Sequence, residues 1–126
     1  MVNEKKINQR ILVIDDDVVI TKMIESRLKA NGYEPIVSND AAMGLEIAIK
    51  KSPDLIILDV MMPIINGYNM CSLIRAEKRS KSIPIIMLTS RSEDSDKAIG
   101  RQVGANAYIT KPFNMDDLLQ KIKEII

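Results

Sequence analysis

Short apolar runs alternate along the chain with longer segments in which apolar residues recur at helical spacing. Ile11-Leu12-Val13-Ile14 is apolar throughout, as a strand covered on both faces should be. After Asp15-Asp16-Asp17, the residues Ile20, Met23, Ile24 and Leu28 mark one face of a helix. Asn31-Gly32 ends it. Glu34 to Ser38 reads as a second strand. Asp40 then N-caps a helix carrying Ala41, Leu45, Ala48 and Ile49, which Ser52-Pro53 breaks. Leu55-Ile56-Ile57-Leu58 is a third strand ending at Asp59. Pro63 and Gly67 bound a loop before a helix with Met70, Leu73 and Ile74 inward. Ile83 to Leu88 is a fourth strand, with Pro84 at its start, where a missing N–H is tolerable. A weaker helix is expected over 92–103, with Gly100 inside it. Ala107 to Thr110 is a short fifth strand. Asn114 caps a last helix with Met115, Leu118, Leu119, Ile122 and Ile125 inward. The pattern is (βα)5, an α/β architecture with a parallel five-stranded sheet and right-handed crossovers, doubly wound with helices on both faces. Residues 1–126 are expected to form one domain, with 1–9 as a flexible N-terminal segment.

Composition narrows the chemistry. There is no histidine, which removes Ser-His-Asp and Cys-His triads, His-ligated zinc and imidazole proton shuttles. The single Cys71 excludes an internal disulfide and suits a reducing cytoplasm; on its helix it reads as a small apolar residue. Eighteen basic against 17 acidic residues leave +1, and Trp is absent, so direct nucleic-acid binding is not expected. The first residues, MVNEKKINQR, lack a signal-peptide core, and no apolar run is long enough to span a membrane. A dinucleotide or phosphate loop of the G-x-G-x-x-G or G-x-x-x-x-G-K-S/T type does not occur.

Sites in open parallel sheets lie beyond the carboxyl ends of the strands. Strand one there delivers Asp15, Asp16 and Asp17; strand three delivers Asp59; strand four delivers Thr89-Ser90; strand five is followed by Lys111-Pro112. Clustered carboxylates repel one another unless a cation offsets them, and oxygen ligands select a hard ion such as Mg2+. A hydroxyl and an ammonium opposite such an ion make a place for a phosphoryl group, and a carboxylate can accept one as an acyl phosphate.

VIDDD after strand one, LDVMMPIING after strand three, LTS after strand four and YITKPF at strand five together resemble response-regulator receiver domains of two-component signalling, CheY-like in type. The resemblance runs from Arg10 to Ile126 and implies a flavodoxin-like sheet in the order 2-1-3-4-5. It implies Asp59 as phosphoacceptor, with Asp16 and Asp59 as direct Mg2+ ligands, Asp15 acting mainly through water, and the Met61 backbone carbonyl as a further ligand. Thr89 would bond a phosphoryl oxygen and Lys111 would pair with its charge. Lys111-Pro112 would be cis, and Thr89 with Tyr108 would be the switch pair. The phosphate would come from a sensor histidine kinase or phosphotransfer protein, consistent with a chain that has no histidine. On this reading the chain is a signalling domain that assists only its own phosphorylation and dephosphorylation.

Some positions depart from the family pattern. Asn66 stands where Asp is common, Asn106-Ala107 replaces an acidic pair, and Ser90 follows the Thr. Met61 and Arg91 would flank the path of an attacking water, and Met61 bonds water poorly, which predicts slow self-dephosphorylation. Asp96 to Gly100 and Gly104-Ala105 are similar to receivers that precede winged-helix DNA-binding domains. Asp117 and Lys121 fall where that branch places an acid and a base on a dimer face, which implies a homodimer through the fourth helix, strand five and the last helix.

Plainer readings compete. Asp17 is assigned to helix capping, and the eight methionines mostly to core and loop packing, Met61 and Met62 included. The rival enzyme reading is a haloacid-dehalogenase-like, Mg-dependent phosphatase, whose D-x-D-x-V opening Asp15-Asp16-Asp17-Val18 fits, with Asp15 as nucleophile and Asp17 as acid/base. That reading leaves Asp59 unused. A receiver serving only as a docking module is the third alternative.

Overall fold

The computed structural model describes residues 8–63, 65–90 and 104–126. The helix expected over 92–103, and Arg91, lie outside the described residues. Five strands, β1 (Arg10–Ile14), β2 (Glu34–Ser38), β3 (Leu55–Asp59), β4 (Ile85–Thr89) and β5 (Ala107–Thr110), form one parallel sheet. Its order is β2-β1-β3-β4-β5, as the resemblance implies. The described helices are α1 (Val18–Ala30), α2 (Ala41–Lys51), α3 (Gly67–Ala76) and α4 (Met115–Ile125). None of them is long and apolar enough to cross a membrane.

The continuous apolar strands are explained by two cores. Leu12, Ile14, Ile56, Leu58, Ile85 and Met87 face one side, where Ala48 of α2 and Met70, Cys71 and Ile74 of α3 close over them. Ile11, Val13, Leu55, Ile57, Ile86 and Leu88 face the other, under Ile24 and Leu28 of α1 and Leu118, Leu119 and Ile122 of α4. Successive residues point to opposite faces, so a strand covered on both must be apolar at every position. This makes the fold a doubly wound, flavodoxin-like α/β sheet.

Side chains set the helix starts. Asp17 accepts from the N–H groups of Val19 and Ile20, Asp40 from Met43, Asn66 from Asn69 and Asn114 from Asp116. Three expectations need correction. Met23 and Leu73, assigned to inner faces by spacing, are 43% and 42% exposed, while Thr21 and Cys71 are buried in their place. The fourth strand begins at Ile85 and extends to Thr89. Ile83 is excluded because its N–H bonds Ser80 and its carbonyl is taken by Arg75. Met61 is 60% exposed; only Met62 packs into the core.

The sheet begins at β1, moves outward to β2 and returns across β1 to β3. That reversal separates the loops leaving β1 and β3 and opens a crevice at their carboxyl ends.

Candidate active site

Asp15 follows β1, and Asp59 ends β3, its neighbour in the sheet, so the two carboxylates emerge side by side. Both are buried, whereas Asp16 is exposed at the mouth. One carboxylate oxygen from each of Asp15, Asp16 and Asp59 lies within 4.8 Å of the others. Lys111, delivered from the far side by β5, places Nζ 3.0 Å from Asp15 Oδ2 and 3.0 Å from Asp59 Oδ1. The remaining Asp15 oxygen accepts the Asp17 N–H at 2.9 Å. The Lys111-Pro112 peptide is cis. Asn39, at the end of β2, donates to the Asp15 carbonyl at 2.7 Å and to Thr21 Oγ1 at 3.0 Å, bracing the floor of the site.

Burial first and repulsion from Asp15 second push the Asp59 pKa up, and hydrogen bonds and attraction from Lys111 with a bond from the Met61 backbone offset part of the rise, leaving it at about 6. Burial disfavours the Lys111 ammonium, but hydrogen bonds and attraction from Asp15 and Asp59 outweigh it and raise its pKa. The centre thus has two buried carboxylates sharing one cation, with a third carboxylate in reach. Such a set fits a hard divalent ion, which prefers carboxylate oxygens and offsets their repulsion.

Thr89 ends β4 and is buried next to this centre in the sheet; its carbonyl accepts the Lys111 N–H at 2.6 Å. Tyr108 is half-buried on the edge strand β5, against the core under α2 and α3. The loop after Asp59 turns back at Gly67, whose N–H bonds the Val60 carbonyl at 2.8 Å. A Cβ on Gly67 would stand 2.4 Å from the Asp59 carbonyl oxygen, so only glycine lets α3 start this close to Asp59. Beside Lys111 an open hollow of about 410 Å³ is lined by Ile20, Met23, Ser90, Pro112 and Phe113.

The structure therefore brings together Asp15, Asp16, Asp59 and Lys111, with Thr89 and the Met61 backbone beside them. Asp17 stands apart, its carboxylate engaged at the N-terminus of α1, which leaves the phosphatase reading without its acid/base. Lys121 pairs with Glu124 of its own helix at 3.5 Å. Asn39 was missed by the sequence reading; its place at a strand end on the site edge was the available signal.

Comparison with known proteins agrees with this geometry. The response regulator receiver domain profile matches residues 11–123. The DNA-binding dual master transcriptional regulator RpaA of Synechocystis is 36% identical over 117 residues, covering 93% of this chain and 48% of the relative. The chain spans about half the length of the curated relatives it matches first. The chemotaxis protein CheY4 of Vibrio cholerae superposes with a TM-score of 0.91 at 32% identity, covering 95% of this chain and all of that one. The receiver domain of the Pseudomonas aeruginosa sensor histidine kinase PA1611, solved with a magnesium ion in its active-site cleft, superposes with a TM-score of 0.86 at 29% identity, covering 94% of this chain and 98% of that one. No support emerges for a haloacid-dehalogenase relationship.

Proposed function

The chain belongs to the response regulator receiver domain family of two-component systems, and we propose that it is a phosphorylation switch whose phosphoacceptor is Asp59. One observation carries this reading: Lys111 bridges Asp15 and Asp59 at 3.0 Å each, with Asp16 close enough to complete an oxygen-lined ion site. Asp15, Asp16, Asp59 and the Met61 carbonyl would hold Mg2+, which supplies positive charge opposite the incoming phosphoryl oxygens.

A carboxylate oxygen of Asp59 attacks the phosphorus of a partner's phosphohistidine. The P–N bond breaks, the electron pair leaves with the imidazole, and an acyl phosphate remains on Asp59. Lys111 already stands at the Asp59 oxygens and moves to the phosphoryl charge as that charge arrives. Thr89 bonds a phosphoryl oxygen, and Tyr108 turns inward behind it. These new bonds bias a two-state surface at β4 and β5. The domain is thus a signalling element rather than an enzyme with a diffusible substrate.

The donor is a sensor histidine kinase or a phosphotransfer protein in the cytoplasm. The apolar hollow of Ile20, Met23, Pro112 and Phe113 beside Lys111 gives such a partner a place to dock. Residues 1–126 act as one receiver domain. A second copy pairs across β5 and α4, where Asp117 and Lys121 lie; sedimentation of the phosphorylated form reads this.

Intact mass after incubation with acetyl phosphate tests the main reading. A Mg2+-dependent phosphoryl adduct, lost in Asp59→Asn and on hydroxylamine treatment, is expected. An adduct that persists in Asp59→Asn but vanishes in Asp15→Asn restores the phosphatase reading. No adduct from acetyl phosphate or from a phosphorylated kinase leaves a docking module.

A further inference from the structure

Arg75, the next-to-last residue of α3, has no carboxylate partner among the described residues. It spends its guanidinium on neutral acceptors. Nε and Nη2 both donate to the Gly104 carbonyl, at 3.0 and 2.8 Å, and Nη2 also reaches Asn106 Oδ1 at 2.9 Å. Nη1 donates to the Ile83 carbonyl at 2.7 Å and to the Lys81 carbonyl at 3.1 Å. One side chain thereby ties the C-terminal end of α3 to the approaches of both β4 and β5.

Asn106 completes the tie. Its Oδ1 accepts the Ile85 N–H at 2.9 Å, and its own N–H donates to the Ile85 carbonyl at 2.8 Å. Gly104 fits the arrangement doubly: its φ is +96°, and a Cβ there would press on Arg75 at 2.9 Å from Nε. The desolvation of a cation among carbonyls is costly, and it lowers the Arg75 pKa. Five hydrogen bonds to one guanidinium offset that cost only if all the acceptors stay in place.

The other end of α3 is held as tightly. Gly67 packs against the Asp59 carbonyl and bonds Val60. The ten residues of α3 therefore form a rod roughly 15 Å long, with one end on the loop of Asp59 and the other on the entry to the strand that carries Tyr108.

We propose that Arg75 and Asn106 are positioning residues for the switch. They lock the start of β5 to α3, so that a change at Asp59 reaches Tyr108 against a fixed strand entry and is relayed along α3 as well as through Thr89. The inference rests on Asp59 being the phosphoacceptor, and its test separates the two claims.

The parent, Arg75→Met, Asn106→Ala and Asn106→Asp are treated with beryllofluoride and Mg2+, and acetyl phosphate adducts are measured by mass in parallel. Amide hydrogen exchange is then followed over 104–110. The parent is expected to gain protection there on beryllofluoride binding. Arg75→Met and Asn106→Ala are expected to form the adduct normally yet lose most of that gain, with roughly tenfold faster basal exchange at Ala107 to Ile109. Asn106→Asp keeps an acceptor for Arg75 and Ile85 and is expected to restore the response. A merely structural role would shift basal exchange and leave the induced gain intact, so an unchanged gain in Arg75→Met and Asn106→Ala overturns the proposal. Asn106→Ala leaves the backbone acceptors of Arg75 in place, so a failure of Arg75→Met to fold leaves it decisive. A parent that forms no adduct from acetyl phosphate or from a phosphorylated kinase overturns the phosphoacceptor reading and this one with it; a normal adduct with an unchanged response overturns this one alone.

Discussion

The Lys111 ammonium lies 3.0 Å from the Asp59 carboxylate and holds it against a second buried carboxylate, Asp15, at the same distance. One cation shared by two buried anions leaves the site short of positive charge. Asp59 shows this in a pKa lifted to about 6, first by burial and then by Asp15. A divalent ion would correct the shortage, and on the proposed function an incoming phosphoryl group would meet a lysine already in place.

Stability without metal should therefore depend on pH through Asp59. Its folded pKa of about 6 exceeds the ordinary 3.8, so the folded chain binds a proton more readily than the unfolded one. Its contribution is most favourable below about pH 4, declines between about 4 and about 6, and is level above that. The full decline is at most about 3 kcal/mol. Asp59→Asn should lack it and be the more stable protein at pH 7 in EDTA. Urea unfolding across this range checks both; parallel profiles for parent and variant would count against a raised Asp59 pKa.

Mg2+ should stabilise the parent. At ten times its dissociation constant the gain is about 1.4 kcal/mol. Asp16 is exposed, so Asp16→Asn should fold normally and bind Mg2+ at least tenfold more weakly. Thermal unfolding against Mg2+ concentration reads both effects. Equal Mg2+ dependence in the two proteins would remove Asp16 from the ligand set.

Asp17 should matter to the helix alone. Its carboxylate accepts the Val19 and Ile20 N–H groups at 2.9 and 3.1 Å. Asp17→Ala should cost about 1 kcal/mol in chemical denaturation. Phosphoryl uptake from acetyl phosphate should be unchanged; a large loss of uptake in folded protein would revive an acid/base role.

Met61 should set the lifetime of the acyl phosphate. Its side chain is 60% exposed and two residues beyond Asp59, and a thioether orients water poorly. Met61→Asn should lose phosphate several-fold faster, because an amide can position the attacking water. Radiolabel loss from purified phosphoprotein gives the rate, and an unchanged rate would show that the water approaches elsewhere.

Much of this was legible along the chain. The apolar strands, the caps at Asp17, Asp40 and Asn114, and the carboxylates at the ends of β1 and β3 follow from local chemistry and period. Helical spacing failed at Met23 and Leu73 because a helix face has room for several apolar residues and the sheet buries only some of them. The start of β4 was misplaced because Ile83 is diverted by Arg75, eight residues earlier. The Arg75–Asn106 contact spans 31 residues and has no period to announce it.

By itself the sequence offered the groups proposed to hold a cation and accept a phosphoryl group, because that chemistry belongs to carboxylates, a hydroxyl and an ammonium wherever they lie. Tertiary structure alone decided that Asp15 and Asp59 share one lysine across 96 and 52 residues of chain. The strands' register brought them within bonding distance, and burial turned ordinary carboxylates into a site that needs a cation.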